Sequence, residues 1–490
     1  DPHHVEGIDE HKTIPNMKNT IICSIAVLSA ALLAACTETT RIWPEEGESK
    51  AYVEVSSQKV IFDADGGNAV ITVATNADGW DYAAEGDWFT VARQDGNALL
   101  VETLINAGAE TLTGKLTVSA EKNGETVSQE VALVQRAERS VNLSAEGTAN
   151  CYIARTGGVY KFDASVKGNG GGDGVSDYIA NYGLAIEDGA FAELLWESRH
   201  DGDKTMSREI IDGAPIYRGG YVTFSTGRSE GNAVIAVKDI KGNIVWSWHI
   251  WVCNDEITAH DHIDSEGKVA AVIMDRNLGA ASITDPGFYY QWGRKEPFGA
   301  SYTRMAYHKD HPYDITDPMM GYGEMTLAYS IAYPWTFMCG VAMNDDRYED
   351  APDWLAAQNP NLWGNASSAT ALADAGSKSI YDPCPPGWRV PDRRVFAEAA
   401  ISKNTGGLSD TCYSMRINTS GTCASYPRGG YLMDGTQYNP DKAALVWTNA
   451  PAQYQTGVNY YKHYSTALKI YPAAVEPLAR ISRDMALPVR

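Results

Sequence analysis

A few short strings in the chain carry side chains that could do chemistry. Gly227-Arg228-Ser229-Glu230-Gly231 has the G-x-S-x-G spacing by which a serine hydrolase presents its nucleophile. That chemistry needs a strand, a sharp turn and a helix, so that the hydroxyl stands above a parallel sheet. Strand-like runs lie on both sides here, "YVTFST" before and "NAVIAVKD" after, so the sequence predicts a hairpin loop and no elbow. "HDHID" (His260 to Asp264) and "HKDH" (His308 to His311) offer nitrogen and oxygen donors, and Met343 to Asp350 is an acidic loop with oxygens suited to calcium. None sits in an evident helix or strand that would orient such ligands, so all three read as solvated loops and no metal is expected. "GNGGGDG" at Gly168 to Gly174 lacks the strand-to-helix context of a phosphate cradle. Paired carboxylates and a nucleophile–base pair cannot be located. The expectation is a non-catalytic protein without a cofactor.

Aromatic rings are the remaining candidates. "GNIVWSWHIWVC" (Gly242 to Cys253) reads as a strand, and counting by two from Ile244 gives an unbroken apolar face with Trp246 and Trp248. The other face is mixed, which leaves His249 and Trp251 as the pair able to meet a ligand.

The N-terminal segment carries a targeting signal. From Met17, a lysine is followed by an apolar run, Ile21 to Ala35. As a helix that run reaches about 22 Å, short of the roughly 30 Å of a bilayer core, so it reads as a signal peptide and not a span. Residues 1–16 include Glu6, Asp9 and Glu10, which such a signal avoids, and they read as lying upstream of the native start. Leu33-Ala34-Ala35-Cys36 resembles the lipobox of bacterial lipoproteins. The resemblance implies acylation at Cys36 and, since no Asp follows the cysteine, export to the outer membrane.

Across the 490 residues the formal charge is -22. A field of that sign repels phosphate backbones, so no nucleic-acid partner is expected, and it rules out adhesion to anionic lipid by a basic face. Beyond Cys23 and Cys36 there remain Cys151, Cys253, Cys339, Cys384, Cys412 and Cys423. No pair has C-x-x-C spacing, and the sequence does not choose among their pairings.

The elements that would position a site fall into three modules after a polar tether, 36–50. Over 51–136, short alternating runs separated by Gly, Asn and Asp predict an antiparallel β-sandwich. Trp80 and Trp88 about a turn, Asn106, Gly114 and the closing Val134-Gln135-Arg136 make this segment resemble the BACON domain of Bacteroidetes surface proteins. That resemblance implies an immunoglobulin-like sandwich with a carbohydrate-binding role, although core packing is the ordinary use of both tryptophans. Residues 137–258 read as a second sandwich. Residues 259–490 are rich in Tyr and in long Pro/Gly loops, with a short helix expected at Asp392 to Ile401. "AAVIMDRNLGA", "YYQWGRKEPFG", "YDPCPPGWRVPDRRVF" and "ALVWTNAP" make this part similar to the Fibrobacter succinogenes major paralogous domain. The similarity implies an α+β, C-type-lectin-like domain. That family commonly closes with a cysteine just after "VR", so the ending Val489-Arg490 implies either a shortened C-terminus or an unpaired Cys384.

The fold class expected is therefore mostly β and multidomain: two antiparallel Ig-like sandwiches followed by an α+β module. The function expected is a lipid-anchored outer-membrane protein at the cell surface that binds carbohydrate or another extracellular ligand, with Trp292, Trp363, Trp388 and Asn449 as candidate contacts. The alternative is a structural or tip subunit of a lipoprotein-derived pilus, matured by cleavage after Arg41 or Arg136 and assembled with other surface proteins by strand donation.

Overall fold

The longest runs of the first module carry apolar residues at every second position, and they pair into the middle of two sheets. The fold is taken from a computed structural model of the chain. It describes residues 50–94, 97–172, 175–199, 209–299, 326–338, 353–355, 359, 361–367, 378–392, 395–396, 402–403, 412–417, 423–433, 436–451, 464–471, 475–482 and 486–488. The signal segment, Cys36, Arg41, the "HKDH" string and the acidic loop at 343–350 lie outside these residues.

The first module comprises β1 (Val53–Val55), β2 (Lys59–Phe62), β3 (Gly67–Thr75), β4 (Trp80–Glu85), β5 (Phe89–Gln94), β6 (Ala98–Thr103), β7 (Leu112–Lys122) and β8 (Glu125–Gln135). One sheet runs β1-β3-β6-β5 and the other β2-β8-β7-β4. Ala69, Ile71 and Val73 from β3 meet Leu116, Val118, Val131 and Leu133 from the facing sheet in a shared core. Trp80 and Trp88 do not flank a simple turn: Trp80 opens β4, and Trp88 lies in the turn that follows it. In β4 and β5 only the first residue of each, Trp80 and Phe89, is buried, so these edge strands carry no apolar alternation to read. The sandwich is not wholly antiparallel either: β2 pairs parallel with β8, from Lys59↔Ala132 to Phe62↔Gln135.

The second module comprises β9 (Val141–Asn142), β10 (Cys151–Ala154), β11 (Val159–Asp163), a short helix α1 (Asp177–Ala180), β12 (Phe191–Arg199), β13 (Ile216–Arg218), β14 (Tyr221–Ser225), β15 (Gly231–Lys238) and β16 (Ile244–Val252). Its sheets run β10-β16-β15-β12 and β13-β14-β11-β9, with parallel pairs β10/β16 and β9/β11. The β15/β16 hairpin forms as its turn residues require. Asp239 Oδ1 accepts from the amides of Lys241 and Asn243 at 2.9 and 2.8 Å, and Gly242 takes φ 86°.

The third module comprises β17 (Ala259–Ile263), β18 (Val269–Met274), β19 (Tyr289–Gln291), α2 (Leu327–Ala332), β20 (Ser402–Lys403), β21 (Cys412–Arg416), β22 (Cys423–Pro427), β23 (Tyr431–Met433), β24 (Thr436–Tyr438), β25 (Ala444–Pro451), β26 (Tyr464–Ile470), β27 (Val475–Ser482) and β28 (Ala486–Pro488). It contains a β17/β18 ribbon and small sheets β19-β28-β23-β24, β20-β21-β22 and β25-β26-β27. Of the helix expected at 392–401, the described residues show Val395 and Phe396 as helical.

Strand β16 is buried on both faces apart from a half-buried Val245. Trp248 packs into the sandwich against Phe162, whereas the Trp246 ring meets Tyr381 and Lys295 of the third module, so one core runs through both. Side chains lace the seam. Tyr290 Oη lies 3.2 Å from His249 Nδ1, and His249 Nε2 lies 2.8 Å from Asn232 Oδ1. Asn232 Nδ2 donates to Gly279 O at 3.0 Å. That leaves Oδ1 to accept, so the ring proton sits on Nε2 and Tyr290 donates to Nδ1. Asn150 Oδ1 accepts from Trp246 Nε1 at 2.8 Å, and its amide donates to the carbonyls of Ile380 and Asp382 at 2.6 and 2.9 Å.

A buried ionic trio anchors the same seam. Lys295 Nζ donates to Ser247 O and Oγ at 2.9 and 2.7 Å and pairs with Glu296 at 2.9 Å. Arg294 Nε donates to Glu296 Oε2 at 3.1 Å. Burial pushes the Glu296 carboxyl up, but Lys295 and Arg294 more than offset this and hold it below the ordinary carboxylate range.

The first and second modules are also keyed together. Ile216 of β13 inserts into the first core. Ala214 N donates to Lys59 O at 3.0 Å, and Lys59 Nζ pairs with Asp212 at 2.8 Å.

Ile216→Ala should therefore lower stability by about 2–5 kcal/mol, read by denaturant melts, with the first module's tryptophan signal moving most. Glu296→Gln removes one partner of a buried pair and should cost about 3–5 kcal/mol. Because the folded carboxyl titrates low, its contribution is present above the unfolded value and is lost as pH falls through the lower folded one. Thermal melts across the acid range should thus show a shallower loss for the Gln variant below about pH 4 than for the native chain.

Candidate functional site

The rings and strings singled out from sequence are mostly architecture. Trp292 and Trp363 come together, with centroids 5.6 Å apart, and both are fully buried. Their indole N–H groups donate to Thr448 O at 2.9 Å and Arg294 O at 3.1 Å. They offer no face to a ligand. Asn449 is buried in β25, its backbone N–H donating to Pro391 O at 2.9 Å. Trp388 stays half-buried at the edge of that core. The turn containing it is held from below: Lys378 Nζ donates to the carbonyls of Cys384, Pro385 and Trp388 at 2.8–2.9 Å. Asp382 accepts from the amides of Cys384 and Val390 at 2.8 and 2.9 Å. His249 and Trp251, the pair expected to face outward, are buried because the third module covers them.

Two loop expectations need correcting. "HDHID" forms strand β17, with His262 fully buried and its Nε2 2.8 Å from Tyr426 Oη. The Gly227–Gly231 string is not a hairpin loop, since β14 and β15 belong to different sheets and it crosses between them. Ser229 Oγ donates to Glu209 Oε2 at 2.8 Å, and no helix follows. Arg136 directly follows β8; its N–H donates to Phe62 O and its carbonyl accepts from Asn106 Nδ2. Among the described residues no group of three or more metal-ligating side chains gathers, and no helix is long and apolar enough to cross a membrane.

A site does take shape on the first module, where it meets the second. A groove of about 360 Å3 runs beside Trp88, within the roughly 300–1,000 Å3 typical of small-molecule sites. Strand register builds its floor. Asn68, Glu102 and Thr90 pair across β3, β6 and β5, so they form one row on one face. The next row, Gly67, Thr103 and Phe89, is buried and locks the strands, with Thr103 Oγ1 accepting from Gly67 N at 2.9 Å. Asp87 and Trp88 enter from the β4–β5 turn, Leu104 forms an exposed rim, and Arg218 reaches in from β13.

The aromatic wall is fixed by packing. Trp88 meets Phe89 edge-on at 4.9 Å, and its Nε1 donates to Thr113 O at 3.1 Å. Space for the Phe89 ring comes from Gly86 and Gly114, where an added Cβ would lie 2.5 Å from Phe89 Cε1. Trp80, by contrast, is core, with the Arg93 guanidinium 4.0 Å from its ring centroid. A half-buried indole beside a row of hydroxyl, amide and carboxylate groups can take the apolar face of a polar ligand and bond its hydroxyls. Trp88 was visible in the sequence. Asn68, Thr90, Glu102 and Arg218 were not, because their grouping depends on register and on the meeting of two modules.

No family model matches the chain, and no curated protein does. Parts of it are similar to segments of solved structures. A Bacteroides ovatus GH5 xyloglucanase in complex with a XXXG heptasaccharide is 19% identical over 20% of this chain and 21% of that chain, with a TM-score of 0.17. The titin Ig tandem domains A164-A165 are 10% identical over 41% of this chain and 96% of that one, with a TM-score of 0.14. A Parabacteroides merdae β-glucuronidase is 16% identical over 39% and 23%, with a TM-score of 0.15. The chain spans about a fifth of the xyloglucanase it matches. Likeness at this level carries no argument about activity.

Gly114→Ala tests how the aromatic wall is set. The added methyl must displace Phe89 or the Glu85 carbonyl 2.9 Å away. It should cost about 1–3 kcal/mol by denaturant melts and shift the Trp88 fluorescence.

Proposed function

We propose that the chain is a non-catalytic, lipid-anchored surface protein whose BACON-like first module binds carbohydrate in the groove beside Trp88. The observation that carries this reading is the groove itself: an indole fixed edge-on against Phe89, next to the polar row Asn68–Glu102–Thr90. Sugar rings present apolar C–H faces and outward hydroxyls, and this wall and floor complement the two. The second and third modules, joined through β16, form the body that presents the first. The anchor is Cys36, acylated after removal of the signal segment, with an outer-membrane, cell-surface location.

Two measurements test this. A glycan array probed with the chain should show binding that Trp88→Ala weakens at least tenfold while the melting temperature stays near native. A blank array at millimolar ligand would end the proposal. Cys36→Ser should move the protein from the membrane to the soluble fraction of cells, and unchanged fractionation would remove the anchor.

A further inference from the structure

We infer that the groove beside Trp88 selects a neutral, hydroxyl-rich sugar and rejects sugars bearing carboxylate or sulfate, an inference that rests on the groove being the ligand site. The charged residues that line it are Asp87, Glu102 and Arg218. All three are exposed, and among the described residues none of them forms an ion pair or side-chain hydrogen bond. Each is therefore held by solvent alone and can exchange water for a ligand hydroxyl. The Arg218 stem lies across the backbone of Gly67, with Cδ and Nη1 3.8 Å from where a Cβ would stand, so the cation is at the groove wall.

Two acceptor-only carboxylates against one donor-only guanidinium leave a net negative lining. Neutral hydroxyls satisfy both kinds of group, because each donates to a carboxylate and accepts from Arg218 or the Asn68 amide. An acidic sugar would bring a third anion to a single cation. It would also approach a chain of net charge -22, whose field slows an anion before it arrives. The carboxylates thus act as specificity-determining groups, and Arg218 orients the neutral ligand without making the groove an anion site.

Titration calorimetry on the full chain separates the outcomes, using length-matched neutral oligosaccharides (cellohexaose, mannohexaose and a β1,4-galactan hexamer) and hexagalacturonate, in low salt with and without EDTA. The expected result is binding of at least one neutral hexamer at least tenfold tighter than the uronate, unchanged by EDTA and lost in Trp88→Ala. Asp87→Asn combined with Glu102→Gln should narrow that gap at least threefold by admitting the uronate. Tighter binding of hexagalacturonate than of every neutral hexamer would overturn the charge selection while leaving the groove as a sugar site. Loss of neutral binding with EDTA would overturn it too, since the carboxylates would then be holding a cation. Binding of neither class, or binding indifferent to Trp88→Ala, would overturn both the selection and the site.

Discussion

Strand β16 is the constraint on which most of this molecule depends. A strand at the surface of a sandwich needs one apolar face, yet Ile244–Val252 is apolar or hydrogen-bonded on both. With three tryptophans in it, exposing either face would leave a large apolar patch in water. The third module is therefore required as a cover, and the seam is built to one register. His249, Asn232 and Ser247 on the sandwich side find Tyr290, Gly279 and Lys295 on the other. Burying Lys295 and Arg294 carries a desolvation cost, which Glu296 and the backbone carbonyls around them offset.

The polar groups in this seam also account for the sequence strings that stand out in the third module. "WGRKEPFG" is the ionic trio with its flanking rings, and "YDPCPPGW" is a turn that Asp382 and Lys378 hold by its backbone. In both strings, residue types that suggest chemistry are used to satisfy buried donors and acceptors. The distinctive residues of the first module behave similarly. Asn106 closes the β6–β7 connection through Glu110 O and Arg136 O, and Gln135 bonds Asp63 O and Leu104 O.

Much of the fold was legible because period-2 alternation reports burial on one face. The strands β3, β7 and β8 show it plainly, as do the β15/β16 turn residues. What escaped was what alternation cannot encode. Strands β4 and β5 bury one residue each and look like loop. The edge pairing of β2, parallel to β8, leaves no local mark. His249 and Trp251 read as outward-facing because a single strand does not reveal that a second module lies over it. The site followed the same logic. Trp292 and Trp363 attracted notice as rings but are packed away, whereas the groove's polar row exists only once β3, β6 and β5 are in register. Arg218, more than a hundred residues from Trp88, carries no local signal at all.

The parallel pairing of β2 with β8 has a mechanical consequence. Because the two strands point the same way, tension that draws the start of β2 and the end of β8 apart runs along both strands. The ladder from Lys59↔Ala132 to Phe62↔Gln135 is then loaded in shear, with its rungs sharing the force, where an antiparallel pair pulled from one end would unzip rung by rung. A chain tethered at its N-terminal end and gripped through its later modules would load first the short antiparallel pairing of β1 with β3, and then this clamp.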